Sequence, residues 1–190
     1  MKNKPVAFVD VETTGLDPDF HEIIEICIII DKEVYHQKVH PTQPHRIDEK
    51  AVAVNGYHPK EWTDAITPKQ AAHDVGRLLS GHIIIGHNPR FDYQFLKSLL
   101  EDHNVDAWLD PRCVDTTTLS FVHLVPAGIR RLNMDEIRKF LGWPVNKFHN
   151  AYKDTQDVKR LYRLLTSPMK RIITIYKLRV LRWLGVVDGY

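Results

Sequence analysis

Apolar residues fall into short runs and longer helical stripes along the chain. Residues 6–11 form an apolar run that ends in acids, and residues 22–30 form a second run rich in isoleucine. Short runs of this kind between polar breaks predict buried strands. Residues 33–40 alternate, with Val34 and Val39 among polar neighbours. They predict a strand paired with the second run through a turn at Asp31 and Lys32. Residues 82–86 give a fourth buried strand. Thr67 and Pro68 form a helix start, and Ala71, Ala72, Val75, Leu78 and Leu79 follow at helical spacing as far as Gly81. Phe91, Phe95 and Leu99 stand at i, i+4 and i+8, which predicts a helix over 91–100. Residues 133–141 and 151–165 predict two more. The stretch 41–59 is polar and proline-bearing, a long loop with a short helix near 48–52.

Strands interleaved with helices indicate an α/β domain with a mixed sheet. Three early strands form a meander, and 82–86 is inserted after a helical crossover. Thr166, Ser167 and Pro168 break the chain. The expected division is a main domain over 1–166 and an amphipathic basic helix within 167–190. In that helix Met169, Ile172, Ile173, Tyr176, Val180, Trp183, Leu184 and Val187 share one face. Packing of this face on the chain's own domain is the favoured expectation. Docking of a partner such as a polymerase, or tracking of nucleic-acid phosphates, is the alternative.

The chain has 190 residues, about one domain's worth. Hydrophobic residues at 43% and charged residues at 26% exclude disordered, collagen-like and disulfide-scaffold classes. The formal charge of +2 hides an asymmetry. Residues 158–190 hold eight basic groups and one acid, leaving eighteen basic and twenty-three acidic groups elsewhere. Two cysteines, Cys27 and Cys113, make no disulfide framework, and Cys27 falls in a buried strand. The first five residues lack a signal-peptide core, and no apolar run reaches about 18 residues. The expectation is a reducing, cytoplasmic setting with no membrane span.

The candidate chemistry lies where strands end. Asp10 and Glu12 are two residues apart, so they point the same way from the first strand. Paired carboxylates on one face suit a divalent cation with hard oxygen ligands. Thr13, Thr14 and Gly15 follow as a tight turn. Gly86, His87 and Asn88 end another buried strand, and Asp92 lies in the next helical turn. His149 and Asp154 are five apart, which places a histidine just before a helix and an acid inside it. The other histidines among the eleven have no zinc-like spacing and no paired cysteines, and His87 reads as structural.

Three segments carry a resemblance. Residues 8–16 read FVDVETTGL, 86–96 read GHNPRFDYQFL and 149–154 read HNAYKD. In this order they resemble the three motifs of the DnaQ-like, or DEDDh, 3′–5′ exonucleases, over about residues 5–165. The resemblance implies an RNase H-like fold with a mixed five-stranded sheet flanked by helices. It also implies a two-metal phosphodiesterase using two divalent cations, Mg²⁺ or Mn²⁺. Asp10, Glu12 and Asp154 would hold the first, Asp10 would bridge to the second, and Asp92 would support the second through water. His149 would be the general base. A sister group uses a tyrosine where this chain has Asn150, so the histidine form is favoured. Two cations about 3.5–4 Å apart can stabilise both the attacking and the leaving oxygen. Histidine is the side chain whose proton moves most readily near neutral pH.

The same resemblance places Thr13, Thr14, Leu16, Asn88 and Phe91 around the terminal nucleotide. Glu25 matches a commonly acidic position without a derived role. Val54, Asn55 and Gly56 stand where many relatives have a histidine before the glycine. Asp157 reads as a solvated helix acid. The implied reaction is release of nucleoside 5′-monophosphates from DNA 3′ ends, with single-stranded or frayed DNA favoured. RNA 3′-end trimming and a catalytically silent polymerase-accessory module are the alternatives.

Overall fold

A computed structural model describes residues 4–183. Its sheet holds β1 (Val6–Thr13), β2 (Ile23–Ile30), β3 (Glu33–Lys38), β4 (Ile83–Gly86) and β5 (Cys113–Asp115). Their spatial order is β3-β2-β1-β4-β5. β1 pairs antiparallel with β2 and parallel with β4, and β5 adds parallel to β4. The fold is therefore the expected α/β arrangement with a mixed five-stranded sheet. The helices are α1 (Glu49–Asn55), α2 (Pro68–Leu79), α3 (Pro89–Asp102), α4 (Thr116–Leu124), α5 (Met134–Leu141), α6 (Ala151–Leu165) and α7 (Pro168–Trp183). Among the described residues no helix is long and apolar enough to cross a membrane.

Alternation along β1 divides the core in two. Ala7, Val9 and Val11 face one layer with Val75 and Leu79 of α2 and Phe95, Leu96 and Leu99 of α3. Phe8 faces the other layer with Ile137 and Phe140 of α5 and Val158, Leu161 and Leu165 of α6. Asp10 and Glu12 continue the Phe8 side, so they point toward α6. β4 stops opposite Phe8, whereas β1 runs on to Thr13. The last residues of β1 thus overhang the sheet at the carboxyl end of its parallel strands, where α/β folds place their sites. A register shift between Glu12 and Thr13 bends the strand there.

Two elements escape the sequence pattern. β5 has only three residues, too few to show a period. α4 reads TTTLSFVHL and lacks a clear apolar stripe. The Asp115 cap, which accepts the amides of Thr117 and Thr118, was the available signal. α7 also differs from expectation. Its predicted apolar face is open: Met169, Ile172, Ile173 and Tyr176 are each at least 60% exposed. The helix is tied down by buried Leu178 and by Arg171 donating to the Leu165 carbonyl at 2.6 Å. Residues 184–187 of the predicted helix lie outside the described residues.

Candidate active site

A cavity of about 430 Å³ opens at the overhanging end of β1. Asp10, Glu12, Asp92, His149 and Asp154 all line it. Oxygens of Glu12 and Asp154 and a ring nitrogen of His149 lie within 4.8 Å of one another. Three segments far apart in sequence supply these groups, and each is fixed by a local device.

Asp92 sits in the first turn of α3. The Val11 amide donates to its Oδ1 at 3.0 Å. That amide lies beyond the end of β4 and so has no ladder partner there; Asp92 satisfies it and ties α3 to β1. The turn into α3 uses Asn88 with φ +65°, a left-handed conformation that asparagine tolerates, followed by Pro89 at the first helical position. The Asn88 amide donates to Asp115 Oδ1 at 3.0 Å, so β5 and α4 brace this turn.

Thr13, Leu16, Asn88 and Phe91 line the cavity as expected, with Leu16 81% exposed at its mouth. Thr14 does not line it. Thr14 is buried and holds the turn: its amide donates to the Glu22 carbonyl at 2.8 Å and its hydroxyl accepts the Glu22 amide at 2.9 Å. Gly15 is needed because a Cβ there would come within 2.3 Å of the His21 ring. Asn55 was not anticipated as a wall residue. It ends α1, donates to the Thr13 carbonyl at 3.0 Å, and brings α1 over the cavity.

His149 precedes α6 on a loop held against α1. Its amide donates to the Val54 carbonyl at 3.0 Å. Next to it, Phe148 lies over Gly56, the left-handed residue that ends α1. The imidazole is 46% exposed toward solvent, with Nδ1 3.8 Å from Asp154 Oδ2. His87 is structural as expected: Nε2 donates to the Leu132 carbonyl at 2.7 Å, and burial lowers its pKa.

Asp154 is oriented by a residue that sequence reading missed. Arg138 of α5 is fully buried and donates to three carboxylates, Asp154 at 2.5 Å, Asp135 at 2.9 Å and Asp157 at 2.9 Å. Burial works against its charge, but Asp154 above all, then Asp157 and Asp135, more than offset this and its pKa rises. Asn146 Nδ2 also reaches Asp154 Oδ1, at 3.2 Å. One oxygen of Asp154 is thereby committed to the protein, and Oδ2 remains on the His149 side. Asp157, expected as a solvated acid, is instead the far anchor of this guanidinium. An arginine on the apolar face of α5, four residues from Met134 and three from Leu141, was the sequence signal.

Glu25 stands directly across the β1–β2 ladder from Glu12. It is buried, and its Oε1 is held by His36 Nε2 at 2.6 Å and by Asn150 Nδ2 at 2.7 Å. The crowding of acids has the expected electrostatic result. Burial, then Asp92, Glu12, Asp154 and Glu25, push the Asp10 carboxyl well above the usual carboxylate range. Burial, then Asp154, Glu25 and Asp92, raise Glu12 to about 9. Burial raises Asp92 to about 7 against the opposing Val11 hydrogen bond. Carboxylates gathered at this cost, with one cationic neighbour, form a donor set that fits hard divalent cations.

Comparison with known proteins identifies the family and the fold. The chain is 28% identical over 171 residues to DNA polymerase III PolC-type of Thermotoga maritima, covering 86% of this chain but 12% of that protein. It is 27% identical over 188 residues to ribonuclease T of Buchnera aphidicola, covering 86% of this chain and 84% of that one. The chain thus spans only about an eighth of its PolC-type relatives. The fold matches E. coli exonuclease I, solved in complex with a dT13 oligonucleotide, with TM-score 0.75 at 18% identity over 90% of this chain and 43% of that one. The strand order and this match identify an RNase H-like fold. The exonuclease family profile named for RNase T matches residues 7–162, and the chain belongs to that family of DnaQ-like, divalent-metal-dependent 3′–5′ exonucleases.

Proposed function

We propose that the chain removes nucleoside 5′-monophosphates from the 3′ ends of single-stranded or frayed DNA. The convergence of Asp10, Glu12, Asp92, Asp154 and His149 on one cavity carries this reading. Asp10, Glu12 and Asp154 would hold one divalent cation, and Asp10 with Asp92 a second. Bound there, such cations supply charge stabilisation at the attacking and leaving oxygens and acidify bound water. Mg²⁺ or Mn²⁺ suits an all-oxygen carboxylate set.

The chain's own groups do the rest. His149 takes the proton of the attacking water, and its exposure leaves room for water and a phosphodiester beside it. Arg138 and Asn146 hold Asp154 so that Oδ2 faces the reaction. Leu16 and Phe91 offer apolar surface to the terminal base, and Asn88 and Asn55 frame the sugar side. A polymerase acting with this chain in trans would make it a proofreading activity.

Trimming of RNA 3′ ends is the second reading. The ribonuclease T relative supports it, because the match runs over most of that protein's length. Digestion of matched DNA and RNA oligomers, with products resolved by length, tests both. The expected result is Mg²⁺- or Mn²⁺-dependent release of mononucleotides, faster from DNA and abolished by chelator. Faster digestion of RNA would favour the second reading. No hydrolysis of either would overturn the assignment.

A further inference from the structure

Among the described residues, the cations of the basic C-terminal stretch that begins at residue 158 do not line the carboxylate site. A separate open groove of about 1090 Å³ runs between the β2–β3 turn, the end of α5, the outer side of α6 and α7. Six cations line it: Lys32, Lys159, Arg160, Arg163, Lys170 and Lys177. Asp31 is the one acid among its described lining residues. Lys159 donates to the Asp31 backbone carbonyl at 2.6 Å rather than to a carboxylate. Among the described residues, Lys32, Arg160, Arg163, Lys170 and Lys177 form no ion pair with an acid. Like charges gathered from three elements without counter-charges create a positive potential that attracts a polyanion.

The position of the groove on α6 is informative. Residues turn by about 100° each along a helix. Asp154 and Val158 face the catalytic cavity, and Lys159, Arg160 and Arg163 fall on the opposite side. Along the axis, Asp154 to Arg163 spans about 14 Å. The groove is therefore a second region on the same rigid helix, beyond reach of the reacting nucleotide.

Resting on the reading that the substrate is a polynucleotide, we infer that this groove binds the backbone of a single strand upstream of its cleaved 3′ end. Two observations favour a nucleic-acid strand over an acidic polypeptide. The cations are spread in two rows, about 6 Å from Lys159 to Arg163 and about 10 Å from Lys170 to Lys177, which suits repeated phosphates rather than one carboxylate cluster. The Arg160 guanidinium stacks 4.0 Å from the centroid of the Trp143 ring on the groove wall. Cations beside an aromatic face are the usual means of holding single strands without sequence preference. A strand engaged at both sites also gains from effective concentration, because both lie on one body.

Length dependence tests this. A strand that reaches the groove must pass around α6, about 10–12 Å across, so trinucleotides do not sense it while 20-mers do. The variant Arg163→Gln/Lys170→Gln/Lys177→Gln removes three exposed cations outside the catalytic cavity. Turnover of p-nitrophenyl thymidine 5′-monophosphate and of a DNA trinucleotide should be unchanged. For a DNA 20-mer, KM should rise about tenfold at near-physiological salt with kcat held. The slope of log affinity against log salt should flatten by about 2, from three lost phosphate contacts at about 0.7 each. Equal kinetics of variant and wild type on the 20-mer would overturn the proposal. So would equal losses on short and long substrates, or polyglutamate competing with the 20-mer as well as oligothymidylate does. Binding of the 20-mer measured in chelator, where nothing is cleaved, separates the two readings. Its loss in the variant supports the groove even if small esters are not hydrolysed.

Discussion

The two ends of α6 carry opposite chemistry. Its first turn presents Asp154 inward, among buried carboxylates whose pKa values are pushed up. Its later turns present Lys159, Arg160 and Arg163 outward, in an open groove. Acids near a helix N-terminus and cations near its C-terminus both suit the macrodipole, so sign alone says nothing about ligands. What separates the regions is compensation. The acidic end buries charges that repel one another and needs cations to relieve them. The basic side leaves its charges in water, where they cost little alone and attract a polyanion. Chemistry that polarises a phosphodiester demands the first arrangement, and holding the rest of a strand needs only the second.

The largest effects come from breaking the acidic end. Asp10→Asn should reduce mononucleotide release by about 10³-fold or more, since several kcal/mol of charge stabilisation depend on the cations it holds. The same change should raise the melting temperature of the metal-free protein at pH 8, because one repelling buried charge is gone. His149→Ala should cut kcat by about 10²–10⁴-fold while Mn²⁺ binding, read by electron paramagnetic resonance, is retained. Full activity of either variant in the mononucleotide assay contradicts the assigned roles.

The next effect tests how one cation inside the acidic end differs from the six outside. Arg138→Met leaves buried Asp154 and half-buried Asp157 without their partner and should destabilise by about 3–5 kcal/mol in denaturant melts. Arg138→Met/Asp157→Asn should recover part of that loss, since one stranded charge is removed. Recovery of stability without recovery of kcat would show that Arg138 orients Asp154 beyond its packing role. Arg160→Gln in the groove should change stability by no more than about 0.5 kcal/mol. Equal costs for Arg138 and Arg160 would erase the distinction between the regions.

The two regions were unequally legible. Asp10, Glu12, Asp92, His149 and Asp154 were readable because strand alternation and fixed spacing place them whatever the rest of the chain does. β1, β2 and β4 were readable because a strand buried on both faces is largely apolar, and the few acids in β1 and β2 stand out against it. Arg138 was hidden, since its meaning depends on α5 packing against α6, which no local period encodes. Thr14 was misplaced because a turn residue and a pocket residue share the same sequence signal. The open face of α7 was hidden for a related reason: amphipathic spacing shows that an apolar face exists, not what covers it. The basic groove needed the approach of α6 and α7 before an excess of lysine and arginine became a site.

The smallest effect is the most direct reading of the acidic end. Glu12 and Asp92 hold protons in the native state, up to about 9 and about 7, that the unfolded chain releases near 4. When the native state binds more protons, stability falls as pH rises. Metal-free protein should therefore lose melting temperature between about pH 5 and pH 9, most steeply below about pH 7, where both groups still hold protons that the unfolded chain has released, and less steeply above it, where only Glu12 does. Divalent cations favour the ionised carboxylates, so millimolar Mg²⁺ should flatten or reverse this slope, with the largest gain at the alkaline end. The groove variant Arg163→Gln/Lys170→Gln/Lys177→Gln should show the same slope and the same Mg²⁺ response, because those cations do not touch the carboxylates. Calorimetric scans across this range, with and without Mg²⁺, check both halves. A metal-free melting temperature that rises toward pH 9 would mean that the carboxylates are not buried together as the geometry has them.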